Sequence, residues 1–105
     1  MHASAQLRIA QSLRRAGSRS QAANVWEEMI RRGEGGVAPY IELAKYYEHV
    51  AKDVPRALEI TRKALLRLAE PTLLDSDTVQ ATRNVVQYRY DRLKRKRDQL
   101  QGDGN

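Results

Sequence analysis

Apolar residues return along the chain at steps of three and four, the spacing that puts them on one face of an α-helix. Leu7, Ala10 and Leu13 make one such stripe, with Ile9 beside it, and predict a helix over roughly residues 3–16. Gly17 follows as its C-cap, because glycine takes the left-handed conformation without strain. Ser18 and Gln21 then form a capping-box pattern. It opens a second helix whose face is Ala22, Val25, Trp26, Met29 and Ile30. Gly33, Gly35 and Gly36 stop that helix.

Pro39 falls in the first turn of a third helix, where its missing N–H costs nothing. The stripe of this helix is Tyr40, Leu43, Ala44, Tyr47, Val50 and Ala51. Asp53 is the natural N-cap of a fourth, with Pro55 in its first turn. Its stripe runs Ala57, Leu58, Thr61, Ala64, Leu65 and Leu68, and Pro71 ends it near Glu70. Asp75 or Ser76 caps a long fifth helix, with Val79, Val86, Leu93 and Leu100 seven apart. Residues 102–105 read as a disordered tail on composition. Only a few residues join each helix to the next, so neighbours pack antiparallel. The pattern predicts one all-α domain over residues 1–101.

Composition narrows this further. A length of 105 residues fits one domain. There is no cysteine, which removes disulfides and thiolate metal sites. The apolar runs are too short to span a membrane, and no apolar signal core follows Met1. The expectation is a cytoplasmic protein. The net charge of +6 is uneven. Residues 1–32 hold six arginines against two glutamates, and residues 89–105 hold six basic groups against three aspartates. Between them, seven basic groups nearly balance eight acidic ones.

The chain also repeats itself. Ile9, Ala10 and Leu13 recur 34 residues later as Leu43, Ala44 and Tyr47, while Ala22 and Met29 recur 35 residues later as Ala57 and Ala64. The shift places one extra residue in the turn near Ala51–Asp53, where insertions are cheap. In this register the chain resembles the tetratricopeptide repeat family. Ala10 opposite Ala22 and Ala44 opposite Ala57 look like its close-approach pairs, and Trp26 and Tyr47 like its large spacers. The resemblance implies two helical hairpins, over about residues 3–36 and 37–70, with a capping helix over about 76–100. Thr61 departs from it where a large residue is usual. Gly33–Gly36 stand where a proline is usual after the first repeat, and about three repeats are usual where this chain has two. A narrower resemblance covers Leu43 to Glu59 and the later Tyr90 to Lys96. These stretches are similar to the C-terminal helical-repeat region of bacterial ribonuclease-H-like exonuclease proteins, whose nuclease is a separate upstream domain.

A repeat module of this kind implies a binding groove on the outward side of each first helix. That face carries Leu7, Gln11, Arg14 and Arg15, then Ile41, Lys45, Glu48 and His49. An apolar contact flanked by cations suits an acidic or C-terminal peptide segment. The expected function is therefore protein–protein interaction, with a protein or peptide partner and the chain itself a monomer or homodimer. The alternative is nucleic-acid binding through Arg89, Arg92, Lys94, Arg95, Lys96 and Arg97, whose contacts to phosphates would be salt-dependent. Catalysis is not expected: no serine has a histidine and an acid at meaningful spacing. Glu48 and His49 are adjacent and diverge by about 100° on a helix, so no metal site is expected. Asp75-Ser76-Asp77 reads as a helix cap. Gly33-Glu-Gly-Gly36 follows no strand and lacks a trailing lysine, so it is no phosphate loop, and no cofactor is expected.

Overall fold

The computed structural model describes residues 2–15, 17–70 and 76–102. Its elements are five helices: α1 (His2–Arg15), α2 (Arg19–Arg32), α3 (Ala38–His49), α4 (Val54–Leu68) and α5 (Ser76–Gly102). No strand occurs among the described residues. The fold class is all-α, as the spacing predicts.

The helix ends follow from local chemistry. At the end of α1, the Gly17 N–H donates to the Arg14 carbonyl at 3.1 Å and the Ser18 N–H to the Leu13 carbonyl at 2.8 Å. This is a Schellman motif, which needs the positive φ of +86° that Gly17 supplies. Gly33 ends α2 the same way, through bonds from Gly33 and Glu34 to the carbonyls of Ile30 and Met29. The Ser18 capping box does not form. Ser18 occupies the N-cap at ψ 61°, and its side chain makes no capping bond. A capping hydroxyl needs an extended backbone, and Ser18 is bent in completing the motif that closes α1. Asp53 does cap α4, accepting from the Arg56 N–H at 3.1 Å. Pro71, Asp75 and residues 103–105 lie outside the described residues, while α5 itself runs through Gly102.

The main contacts join consecutive helices: α1 with α2, α2 with α3, α3 with α4, and α4 with α5. Charged side chains add two longer links. Arg14 of α1 meets Glu42 of α3, and Arg92 of α5 meets Glu48 of α3. The odd-numbered helices are thus neighbours along one polar face. The core gathers Ala10, Ala22, Ala23, Trp26, Met29, Leu43, Tyr47, Val54, Ala57, Leu58 and Leu93. Tyr47 sits at its polar edge, where its hydroxyl donates to Glu27 and the Arg56 guanidinium lies 5.1 Å from its ring centre. Burial, then the Glu27 carboxylate, pushes the Tyr47 hydroxyl up to about 12.

Some stripe positions behave differently from the sequence expectation. Leu13 and Leu65 are only half-buried. Val50 and Ala51 are exposed because α3 ends at His49 and the chain turns outward there. Leu100 is exposed. Ala23 and Glu48 are buried without having been expected there.

The repeat register holds in burial. Ala10 and Ala44, Ala22 and Ala57, and Met29 and Ala64 are all sealed from solvent. Trp26 and its counterpart Thr61 are both buried, and the Thr61 hydroxyl is satisfied by the Ala57 carbonyl at 2.8 Å. Ile9 is the exception: it is 54% exposed where its counterpart Leu43 is 1% exposed. The extra residue lies in the α3–α4 turn, which puts Lys52 at φ +57°.

Two measurements check this packing. Ala44→Leu should destabilise the chain by about 1–3 kcal/mol in urea unfolding, because close helix approach leaves no room for extra methylenes. Lys52→Gly should stabilise it by about 0.5–1 kcal/mol, since a left-handed lysine is strained by more than glycine's added unfolded-state entropy offsets. Destabilisation by Lys52→Gly would show that the turn is not strained.

Candidate functional site

The end of α1, the first turns of α2 and the second half of α3 enclose a concavity of about 440 Å³. Arg14, Arg15, Arg19 and Lys45 bring positive charge to it, and His49 lies beside them. Arg14 and Arg15 occupy the last turn of α1, where they complement the negative end of the helix dipole. Lys45 and His49 are four apart on α3 and so share one face. The only acid among the described residues of the wall is Glu42, held 3.5 Å from Arg14 and 3.3 Å from Lys45. Four permanent cations against one carboxylate leave the concavity net positive, which favours anions. Trp26, Tyr46 and Val50 supply its apolar wall. Trp26 is 3% exposed, and its indole Nε1 is buried with no acceptor among the described residues.

Of the groove residues expected from sequence, Arg14, Arg15, Lys45 and His49 converge here. Gln11 is exposed but lies outside the wall, and so does the half-buried Ile41. Leu7 is partly buried against the core, because it shares the stripe of Ala10 and Leu13. Glu48 leaves the groove altogether: it is 1% exposed and faces α5. Arg19, Trp26, Glu42, Tyr46 and Val50 were not foreseen. Glu42, Tyr46 and Val50 recur every four residues on α3, a signal the sequence did carry. Nothing local in the sequence brings Arg19 and Trp26 of α2 to the same wall.

The basic stretch of α5 is largely committed to Glu48. Arg92 grips both carboxylate oxygens, at 2.6 and 2.7 Å, and the Lys96 ammonium lies at 3.2 Å. The Arg89 guanidinium stands 3.6 Å away, and His49 approaches from α3 itself at 3.4 Å. These residues fall three or four apart on α5, so one helix face carries all three cations. The hydrogen bonds from Arg92, reinforced by Lys96 and opposed by burial, hold the Glu48 carboxyl down at about 2. Of the remaining nucleic-acid candidates, Arg97 pairs with Asp98 and Lys94 lies 5.0 Å from the Tyr90 ring centre. Arg95 is exposed. Tyr88 is exposed and Tyr90 half-buried.

Among the described residues, no three His, Cys, Asp or Glu side chains come together where a metal ion could sit. No helix among them is long and apolar enough to cross a membrane. Comparison with family models, curated proteins and solved structures finds no match to this chain.

The Glu48 cluster has a pH signature. A carboxyl held below its ordinary 4.5 stabilises the fold fully above that value, and this contribution is lost as pH falls towards about 2. Glu48→Gln should cost about 1–3 kcal/mol at neutral pH. The cost stays in that range because Arg92 and Lys96 remain partly open to water and can resolvate. Between pH 4.5 and 2 the gap between wild type and variant in urea unfolding should close. A gap that is constant over that window would mean that the ion pairs are not the source.

Proposed function

We propose that the chain is a protein–protein interaction module, of tetratricopeptide-like design, that takes an acidic peptide segment in the concavity among α1, α2 and α3. The observation that carries this reading is the convergence of Arg14, Arg15, Arg19, Lys45 and His49 on one space with Glu42 as its only acid. Guanidinium forks suit carboxylates, binding them through paired N–H donors. The same chain already uses that mode on its own Glu48. Trp26, Tyr46 and Val50 offer an apolar contact beside the cations, which suits a side chain next to an acid. The reading also includes a cytoplasmic module that performs no catalysis and needs no cofactor.

Nucleic-acid binding through α5 ranks below this. Arg89, Arg92 and Lys96 surround a buried carboxylate, so phosphate contact would have to compete with it. Single-strand recognition favours exposed aromatic faces along the track, and Tyr90 is half-buried under Lys94.

A short peptide alternating glutamate and leucine, with a free C-terminus, is a direct probe. Its binding should change the fluorescence of Trp26, the only tryptophan. Arg15→Glu should weaken the affinity by about tenfold, the effect of losing a charge-assisted contact. The same peptide with lysine in place of glutamate should not bind. Failure of the glutamate peptide to bind, or tighter and steeply salt-dependent binding of a duplex oligonucleotide, would reverse the ranking.

A further inference from the structure

The wall of the concavity holds cations of two kinds. Arg14 and Lys45 already have an acid, because Glu42 lies 3.5 Å from the one and 3.3 Å from the other. Arg15 and Arg19 have none: both are exposed, and neither makes an ion pair or hydrogen bond with a described residue. Arg31, Arg32 and Arg62 are exposed too, yet each finds a carboxylate on its own helix. Arg15 is the last residue of α1 and Arg19 the first of α2. The turn between them is fixed by the bonds from Gly17 and Ser18 to the carbonyls of Arg14 and Leu13. Two unpaired guanidiniums are thereby anchored on either side of one tight turn and line the same space. With Glu42 counted, the permanent charges of the wall leave a net +3.

This arrangement selects among anions. A carboxylate brings one charge and two oxygens, the complement of a single guanidinium fork. A phosphodiester of a nucleic-acid backbone also brings one charge. A phosphorylated side chain brings nearly two charges at neutral pH and three acceptor oxygens, so it can engage two forks at once. We propose that the concavity takes a peptide segment through a phosphorylated serine or threonine held between Arg15 and Arg19, with an apolar neighbour against Tyr46 and Val50. The inference rests on the reading of this concavity as a peptide site and names the anion that it takes.

The probes are three short peptides, capped at both ends and identical but for one residue between two leucines: phosphoserine, glutamate or serine. In fluorescence anisotropy titrations with the full chain, the phosphoserine peptide should bind about tenfold more tightly than the glutamate peptide, the worth of one further charge-assisted contact. The serine peptide should bind most weakly. Arg15→Gln and Arg19→Gln should each remove most of the phosphoserine preference, with circular dichroism unchanged because both side chains are exposed. Inorganic phosphate at the concentration of the peptide should not displace it, since it offers nothing to the apolar wall. Absence of phosphoserine binding overturns the inference, as does equal or tighter binding of the glutamate peptide. The acidic-peptide reading itself falls only if the alternating glutamate and leucine peptide fails as well. A phosphoserine preference that survives both variants also overturns the inference, by placing the phosphate elsewhere on the chain. Displacement by inorganic phosphate does so too, by making a free phosphate the ligand.

Discussion

A carboxylate with almost no access to water stays charged only if its neighbours replace the water, and the placement of α5 depends on that exchange at Glu48. Both oxygens are bonded by Arg92, one of them also by Lys96, with Arg89 close by. The apolar side of α5 offers only Val86 and Leu93 as fully buried residues. Two side chains do not fix the rotation of a helix of 27 residues. Directional bonds add orientation: the Arg92 fork fits the Glu48 carboxylate in one plane, and Arg83 donates to the Leu68 carbonyl at 3.0 Å. Apolar burial thus supplies the attraction between α4 and α5, and the ion cluster on α3 sets the register.

Within each hairpin the determining feature is small size. Alanines at 10, 22, 44 and 57 are sealed from solvent and let helix backbones approach closely. Larger side chains, Trp26, Met29, Leu43 and Tyr47, fill the space between hairpins. The two hairpins differ at one matched position, where Ile9 is 54% exposed and Leu43 is buried.

The positive charge of the chain is sorted by the same packing. Arg89, Arg92 and Lys96 of α5 are turned onto a carboxylate, while cations of α1 and the start of α2 meet Lys45 and His49 around a space with one acid among the described residues. A count of charges along the chain ranks its two basic ends as equals. In the folded molecule, part of one end surrounds a buried carboxylate and the other end lines an open, mainly basic wall.

The sequence by itself determined the five helices, most of their ends and the repeat. These depend on local physics: the three-and-four spacing, the left-handed glycines at 17 and 33, and the Asp53 cap. It also placed Arg14, Arg15, Lys45 and His49 on a common groove, because the repeat register equates α1 with α3. Tertiary structure alone decided the rest. The repeat register put Glu48 on the groove face, and only the approach of Arg92 from 44 residues away makes its burial tolerable. Arg19 and Trp26 joined the wall because α2 lies across α3, a relation between helices that no periodicity within either one encodes. Ser18 lost its capping bond to the turn that ends the helix before it. In each case the deciding partner is distant in sequence or belongs to the neighbouring element, and local pattern has no term for it.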